Sequence, residues 1–304
     1  IHPPSFHGNP AVRGAFAWSL AMTAASIPPA PVPAISPGNA PAFGLIIVGD
    51  EILSGKRADK HLAKYIELLG ARGLHLSYAE YLGDDRQRLV AALQRAFASG
   101  DVVFSCGGIG ATPDDHTRQC AAEALQRPLA LHPQAADLIR ERMQDTAREQ
   151  GLPYEPDRPD NMHRLNMGVF PEGARIIPNP YNKIPGFSVE RVHFVPGFPV
   201  MAWPMMEWVL DYEYADLHKA QNWVEQSAIV KGAMESRLVP LMERIEAEYP
   251  GIKVFSLPSV DHPQYGVHIE LGVKGRGPLV AQAYASLRAE LQTLGHPIIT
   301  ELVR

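Results

Sequence analysis

Hydrophobic and polar positions follow two different grammars along this chain. From Phe43 to about Leu210, short apolar runs alternate with stretches of helical period. Phe43-Gly44-Leu45-Ile46-Ile47-Val48 is continuously apolar, as a parallel strand buried on both faces is. Ala58 to Arg72 then sets Leu62, Tyr65, Ile66 and Leu69 on one helical face. Leu74 to Leu82 reads as a second strand. Asp84 reads as the N-cap of the next helix, with Gln87 as its capping-box partner and Leu89, Leu93 and Phe97 as its stripe. Asp101 to Phe104 is the third strand. Further along, a helix fits His132 to Gln150, and a proline-rich stretch runs through Pro171. Strands fit Arg175–Ile177 and Val192–Val195, and Val200 to Leu210 reads as a closing helix. This alternation predicts an α/β domain with a parallel or mixed sheet and helices on both faces.

From about Trp223 the grammar changes. Strands are predicted at Val224–Val230, Lys253–Leu257, Gly266–Val273 and Pro297–Val303, and helices at Glu235–Glu248 and Pro278–Leu294. That order, β-α-β-β-α-β, is the split βαβ arrangement of small α+β domains. The first 42 residues differ again, with Pro28-Pro29-Ala30-Pro31-Val32-Pro33 and Ser36-Pro37-Gly38-Asn39-Ala40-Pro41. Such a segment buries too little to fold alone and reads as a mobile arm. The predicted organisation is therefore an arm (1–42), a larger ligand-binding domain (43–215) and a small α+β domain (216–304).

Composition removes several classes of function. The 304 residues are 46% hydrophobic and 20% charged with a net charge of -5, which gives no general pull toward nucleic acid or an anionic membrane. From Lys219 onward nine Lys/Arg balance nine Asp/Glu, so the second domain lacks the electrostatic footprint of a nucleic-acid binder. Lys274-Gly275-Arg276-Gly277 is a basic turn without the GxxG clamp. Cys106 and Cys120 make no disulfide framework, and a reducing cytoplasm is the expected location. Ala15 to Met22 is mildly apolar and follows Arg13, but is short for a signal peptide; Met22 could be the natural start. No run approaches the roughly 20 apolar residues of a membrane span.

The densest chemistry lies in Ser105-Cys106-Gly107-Gly108-Ile109-Gly110-Ala111-Thr112-Pro113-Asp114-Asp115-His116-Thr117, directly after the third strand. Three glycines let backbone pass close to a ligand. Thr112 is predicted to cap the following helix with Pro113 at its first position, which puts Asp114 and Asp115 on the first turn. A glycine loop feeding a helix N-terminus is a ready anion site, and paired carboxylates beside it suggest a divalent cation bridging to phosphate. A second loop, Gly49 to Gly55, ends the first strand; Asp50 and Glu51 are predicted to face the same crevice, with Ser54 and Gly55 nearby. Asp59 reads as serving the start of the next helix. Cys106 has no apparent partner and reads as a small buried side chain. His116 is expected to be exposed, and the histidines show no zinc spacing. Lys183 sits in a Pro-Gly-bounded loop, where it either meets a phosphate or is simply solvated. Met201, Trp203, Met205, Met206 and Trp208 suggest a packed helix and a contact for self-association.

Taken together, Gly49–Gly55, Gly107–Thr117 and Pro196-Gly197-Phe198-Pro199, in that order, resemble the molybdopterin-binding-like domain of competence/damage-inducible protein A (CinA). Asn179 through Gly186, with Ile184-Pro185-Gly186-Phe187, resembles that family's Asn-Pro…Ala-Pro-Gly-Phe loop. The resemblance covers about Phe43 to Leu210, and the region from Trp223 resembles the KH-type domain that often follows. It implies a fold shared with enzymes of molybdenum-cofactor assembly. It also implies metal-dependent hydrolysis of the pyrophosphate in ADP-ribose, with Mg²⁺ as the expected cation. By carry-over Asp50, Asp114 and Asp115 would hold the metal or activate water. Glu51, Ser54, Gly55, Gly107, Gly108, Gly110, Thr112, Thr117, Asn179, Lys183, Gly186, Pro196 and Gly197 would line the ligand site. The alternatives are a molybdopterin-binding enzyme that adenylylates its ligand or inserts metal, and a non-catalytic ligand-binding module. The chain departs from the family at Ala111 (usually Pro), at Lys60-His61 (often Thr-Asn) and at Asn182-Lys183-Ile184 (Gly-Thr-Ala). The nicotinamide-mononucleotide deamidase domain of longer members is not expected here.

Overall fold

The computed structural model describes residues 41–218 and 223–304. The predicted arm lies almost wholly outside the described residues. In chain order the first part comprises β1 (Phe43–Val48), α1 (Asp50–Leu53), α2 (His61–Ala71), β2 (Leu76–Leu82), α3 (Arg86–Ser99) and β3 (Val102–Cys106). It continues with α4 (Thr117–Leu125), β4 (Leu129–Leu131), α5 (Pro133–Glu149), α6 (Pro159–Leu165), β5 (Val169–Pro171) and β6 (Arg175–Ile177). β7 (Gly186–Val189), β8 (Val192–Val195) and α7 (Pro199–Glu213) complete it.

Six of these strands form one sheet in the order β2-β1-β3-β8-β7-β6. β2, β1, β3 and β8 run parallel, and β7 and β6 add on antiparallel. The sheet is thus mixed, as expected. β7 escaped the sequence reading because its four residues sit one tight turn before β8, with Glu190 in the left-handed region at φ 53°. β4 and β5 pair separately as a small antiparallel ribbon.

Every residue of β1, β3 and β8 is buried. Successive side chains of a strand point to opposite faces, so a continuous apolar run serves two cores. Phe43, Leu45 and Ile47 pack with α2 and α7 on one face, and Ile46 and Val48 pack with α3, α4 and α5 on the other. Two buried polar groups cross this packing. His193 on β8 links the Ser188 hydroxyl (2.8 Å) to the Tyr214 hydroxyl (2.7 Å), and Arg175 pairs with Glu213 at 2.7 Å. Burial drives His193 well below the usual histidine range.

The second part comprises β9 (Trp223–Val230), α8 (Glu235–Glu248), β10 (Lys253–His262), β11 (Gly266–Arg276), α9 (Gly277–Thr293) and β12 (Ile298–Val303). Its sheet, ordered β10-β11-β9-β12, is antiparallel throughout. α8 and α9 close a core of their own around Leu238, Ile245, Leu271, Val273 and Leu287. The order is the split βαβ one read from the pattern.

Candidate ligand-binding site

In the order β2-β1-β3 the chain leaves β1 in one direction and returns on the other side, with α2 and α3 on opposite faces. Such a topological switch point leaves a crevice outside the carboxyl ends of the strands. A cavity of about 310 Å³ opens there. Ile47 and Val48 line it from β1, Cys106 from β3, Gly197 to Pro199 from the turn after β8, and Glu51, Ile52 and Arg57 to His61 from α1 and beyond.

The glycine loop begins directly after Cys106, which lines this cavity. Gly107 donates its N–H to Val195 O (3.0 Å) at φ 107°, and a Cβ there would stand 2.4 Å from Val48 O. Only glycine lets the chain leave β3 across the end of β1. A Cβ added to Gly197 would lie 3.5 Å from Gly107 Cα, at ordinary contact distance. Buried Thr117 ties the loop shut: its hydroxyl donates to Gly107 O (3.0 Å) and its N–H to Gly108 O (2.9 Å). Of the three segments, Glu51, Cys106 and Gly197 line the cavity, whereas Gly107 to Thr117 come after Cys106 and lie outside the lining.

One sequence expectation is corrected. The helix begins at Thr117, so Thr112 is not its cap, and Asp114 and Asp115 precede its first turn. Thr112 donates both its N–H (2.8 Å) and its hydroxyl to Asp115, while Asp115 N–H donates to Thr112 O (3.0 Å). These local bonds compete successfully with helix formation.

The sequence reading also passed over Arg118. Its side chain is buried and donates to Ile109 O and Gly110 O, each at 2.7 Å. No carboxylate of the described residues is ion-paired with it. Burial lowers its pKa, and the charge of Asp115 only partly opposes that. A cation without a paired carboxylate thus lies beneath the glycine loop. The signal was an arginine on the helix face shared with Ala121 and Ala122.

Glu51 and Asp59 are the carboxylates that line the cavity; Asp50, Asp84, Asp114 and Asp115 lie outside its lining. Asp84 is not the N-cap of α3; Asp85 is, accepting from Arg88 N–H at 2.8 Å. Asp84 instead exchanges hydrogen bonds with Asp50: Asp50 N–H donates to Asp84 (3.0 Å) and Asp84 N–H to Asp50 (3.1 Å). Burial raises the Asp84 pKa, and the negative charges of Asp50, Glu51 and Asp114 add to the rise. Among the described residues no three His, Cys, Asp or Glu side chains are placed to hold a metal ion by themselves. Asp50, Asp114 and Asp115 are thus not assembled as one metal-holding group, since Asp115 closes its own turn. The residues do not fit a resident, protein-caged metal centre. Magnesium characteristically uses only one or two carboxylates together with a ligand's phosphates.

The other expected site residues divide sharply. Glu51 and Gly197 line the cavity. Gly107, Gly108, Gly110 and Thr112 form the loop, Thr117 pins it, and Pro196 leads into Gly197. Ser54 and Gly55 close the exposed turn after α1. Asn179, Lys183 and Gly186 are not brought to the cavity. The Asn179 amide organises its own loop, donating to Ile184 O (2.9 Å) and accepting from Tyr181 N–H (3.0 Å). Lys183 is held by Glu141 (2.5 Å) and Asp145 (2.6 Å) of α5. A Cβ added to Gly186 would collide with Phe194 O of β8. Asp59 does start a helix, accepting from His61 N–H (2.8 Å) and Leu62 N–H (3.1 Å). Burial pushes the Cys106 thiol far above its ordinary range, which leaves it unreactive.

Residues 44–215 match the family described as probable molybdopterin binding domain. The chain belongs to that family. A CinA-like protein of Anaeromyxobacter dehalogenans (strain 2CP-C) is 32% identical over 206 residues, covering 66% of this chain and 48% of that protein. A protein of Pyrobaculum calidifontis is 27% identical over 236 residues, covering 75% of this chain and 86% of its own length. Among solved structures, CinA from Thermoplasma acidophilum aligns at 26% identity and a TM-score of 0.47, over 57% of this chain and 97% of that one. The chain spans about half the length of its CinA-like relatives. Its molybdopterin-binding-like domain thus contains the sheet, the glycine loop and the cavity, and the family match ends before β9.

Proposed function

We propose that the crevice binds a phosphorylated heterocyclic ligand, a nucleotide or a pterin, with the phosphate on the glycine loop. The observation that carries this reading is Arg118, a buried guanidinium spent on the carbonyls of Ile109 and Gly110 and matched by no ion-paired carboxylate. A buried cation that lacks an ion-paired carboxylate, with only the nearby charge of Asp115 to offset burial, is costly. An anion bound on the loop above it offsets that cost, and loop N–H groups supply the donors. Family membership supports the ligand class.

The finer chemistry proposed is hydrolysis of a diphosphate such as that of ADP-ribose. Magnesium, carried in with the ligand's phosphates, would be held by Asp50, Asp84 or Asp114 and would neutralise charge there. Burial is the main cause of the raised Asp84 pKa, and the charges of Asp50, Glu51 and Asp114 add to it, so a cation here would relieve only the smaller part. A thermal-shift and calorimetric screen of ADP-ribose, AMP, FAD and molybdopterin tests the binding reading, which fails if none stabilises the protein. Product analysis of ADP-ribose with and without Mg²⁺ tests hydrolysis. Binding without cleavage, across several divalent ions and at high protein concentration, would leave a non-catalytic module or a pterin-processing protein.

A further inference from the structure

The two carboxylates that line the cavity are not equivalent. Asp59 is already occupied at both oxygens: one accepts from His61 N–H (2.8 Å), the other from Leu62 N–H (3.1 Å) and the Tyr81 hydroxyl (2.9 Å). Glu51 is different. Its carboxylate folds back over Gly49 at the end of β1, so that a Cβ added to Gly49 would stand 2.8 Å from Oε2. Its ion-pair partner among the described residues is Arg57, at 3.8 Å, which is beyond hydrogen-bonding range. Both side chains are about half exposed, so the contact is weak and open to a competitor. An ionised carboxylate only accepts, through two oxygens that can take several donors. Glu51 therefore brings accessible acceptor capacity to a cavity with mostly apolar walls. In such pockets the few polar groups fix orientation and specificity.

The position of this carboxylate says which part of a ligand it meets. Gly107, the first glycine of the loop, crosses the chain at Val48 O. Gly49 is the next residue, and consecutive Cα atoms are only about 3.8 Å apart. The Glu51 carboxylate thus stands close to the start of the loop, level with whatever group is joined directly to a phosphate held there. Elsewhere on the wall the Arg57 guanidinium lies 5.6 Å from the centre of the exposed Phe198 ring, which offers flat surface for a heterocycle. In a ribonucleotide the sugar that carries the 5′-phosphate also carries two neighbouring hydroxyl donors. A phosphorylated pterin has its paired N–H donors on the far side of the ring system.

We propose that Glu51 is a specificity-determining residue of this pocket, accepting hydrogen bonds from the vicinal hydroxyls of a ribose, so that the site selects ribonucleotides. The inference rests on the proposed phosphorylated-ligand reading and adds which of its two ligand classes is admitted.

The test is calorimetric titration of the full chain with AMP, 2′,3′-dideoxy-AMP and 6-hydroxymethylpterin monophosphate, with inorganic pyrophosphate as the probe of the phosphate site alone. The expected result is a preference of roughly tenfold or more for AMP over 2′,3′-dideoxy-AMP. That preference should be lost in Glu51→Ala and partly kept in Glu51→Gln, whose amide oxygen still accepts. It is a ratio within each protein, so a general weakening of binding does not imitate it. Equal binding of AMP and 2′,3′-dideoxy-AMP by the wild-type chain would overturn the role of Glu51 while leaving the phosphate site standing, and that result needs no variant to fold. A preference that persists in Glu51→Ala would overturn it equally. So would loss of all binding, pyrophosphate included, in both variants, which would mark Glu51 as a structural residue. Binding of pyrophosphate or of the pterin without binding of AMP would exclude the ribonucleotide assignment. If none of the four probes binds the wild-type chain, the phosphorylated-ligand reading falls and this inference falls with it.

Discussion

Replacing Arg118 by Met tests whether the buried guanidinium serves the ligand or only the fold. The substitution removes two charge-assisted hydrogen bonds, to Ile109 O and Gly110 O at 2.7 Å each. Each such bond is worth about 1.5–3 kcal/mol. It also removes a buried charge with no ion-paired carboxylate, whose desolvation penalty is several kcal/mol. The two effects oppose each other, so the stability of the ligand-free protein should move by no more than about 2 kcal/mol. Binding has no such cancellation. An anion on the loop lies about one peptide beyond the contacted carbonyls. At roughly 6 Å and an effective dielectric near 20, the lost attraction is about 2–3 kcal/mol, or roughly 30–150-fold in affinity. Calorimetric titration with pyrophosphate, alongside urea unfolding of the same samples, measures both quantities. Unchanged affinity combined with a stability loss above about 4 kcal/mol would show that Arg118 is a structural pin, and the anion-site argument would fail.

Gly107→Ala and Gly55→Ala share a left-handed backbone penalty of about 1–2 kcal/mol, because both glycines have positive φ. Only Gly107 meets a carbonyl, Val48 O at 2.4 Å, so urea unfolding should show it costing about 1–3 kcal/mol more. Equal costs would mean that the loop does not cross β1 as described. Burial depresses the His193 pKa, so below about pH 6.5 the unfolded chain binds the proton that the folded one refuses. Stability should therefore fall with acid by about 1.4 kcal/mol per pH unit from this group, and the slope should be shallower by that amount in His193→Gln. Identical slopes in the two proteins would contradict the neutral buried imidazole. Glu213→Ala leaves Arg175 buried without its ion-pair partner and should cost about 3–5 kcal/mol in unfolding experiments, most of it recovered in Arg175→Met/Glu213→Leu. A loss below about 1 kcal/mol would mean that the pair is solvated.

How much of this protein was legible beforehand follows from which forces act locally. The run at β1 is apolar on both faces, and those at β3 and β8 are so apart from Ser105 and His193, which announces central strands between two helical layers. The period-3.6 stripe of α3, that of α2 apart from Ile66, which is exposed, and the β-α-β-β-α-β order after Trp223 were readable for the same reason: hydrophobic periodicity is written residue by residue. The glycines at 107 and 108 and the Gly49–Gly55 loop were readable too, because backbone that must pass close to another chain excludes side chains. β7 was not, since four residues beside a tight turn carry too little pattern. Hydrogen-bond partners were not legible either. Thr112 has the composition of a helix cap, yet Asp115 captures it; Asp84 resembles a cap, yet it faces Asp50 across 34 positions. Lys183 resembles a phosphate ligand until the fold sets two carboxylates of α5 against it. Arg118 became interpretable only through burial. A charge without a paired carboxylate acquires meaning once water is excluded, and the tertiary structure alone decides where that happens.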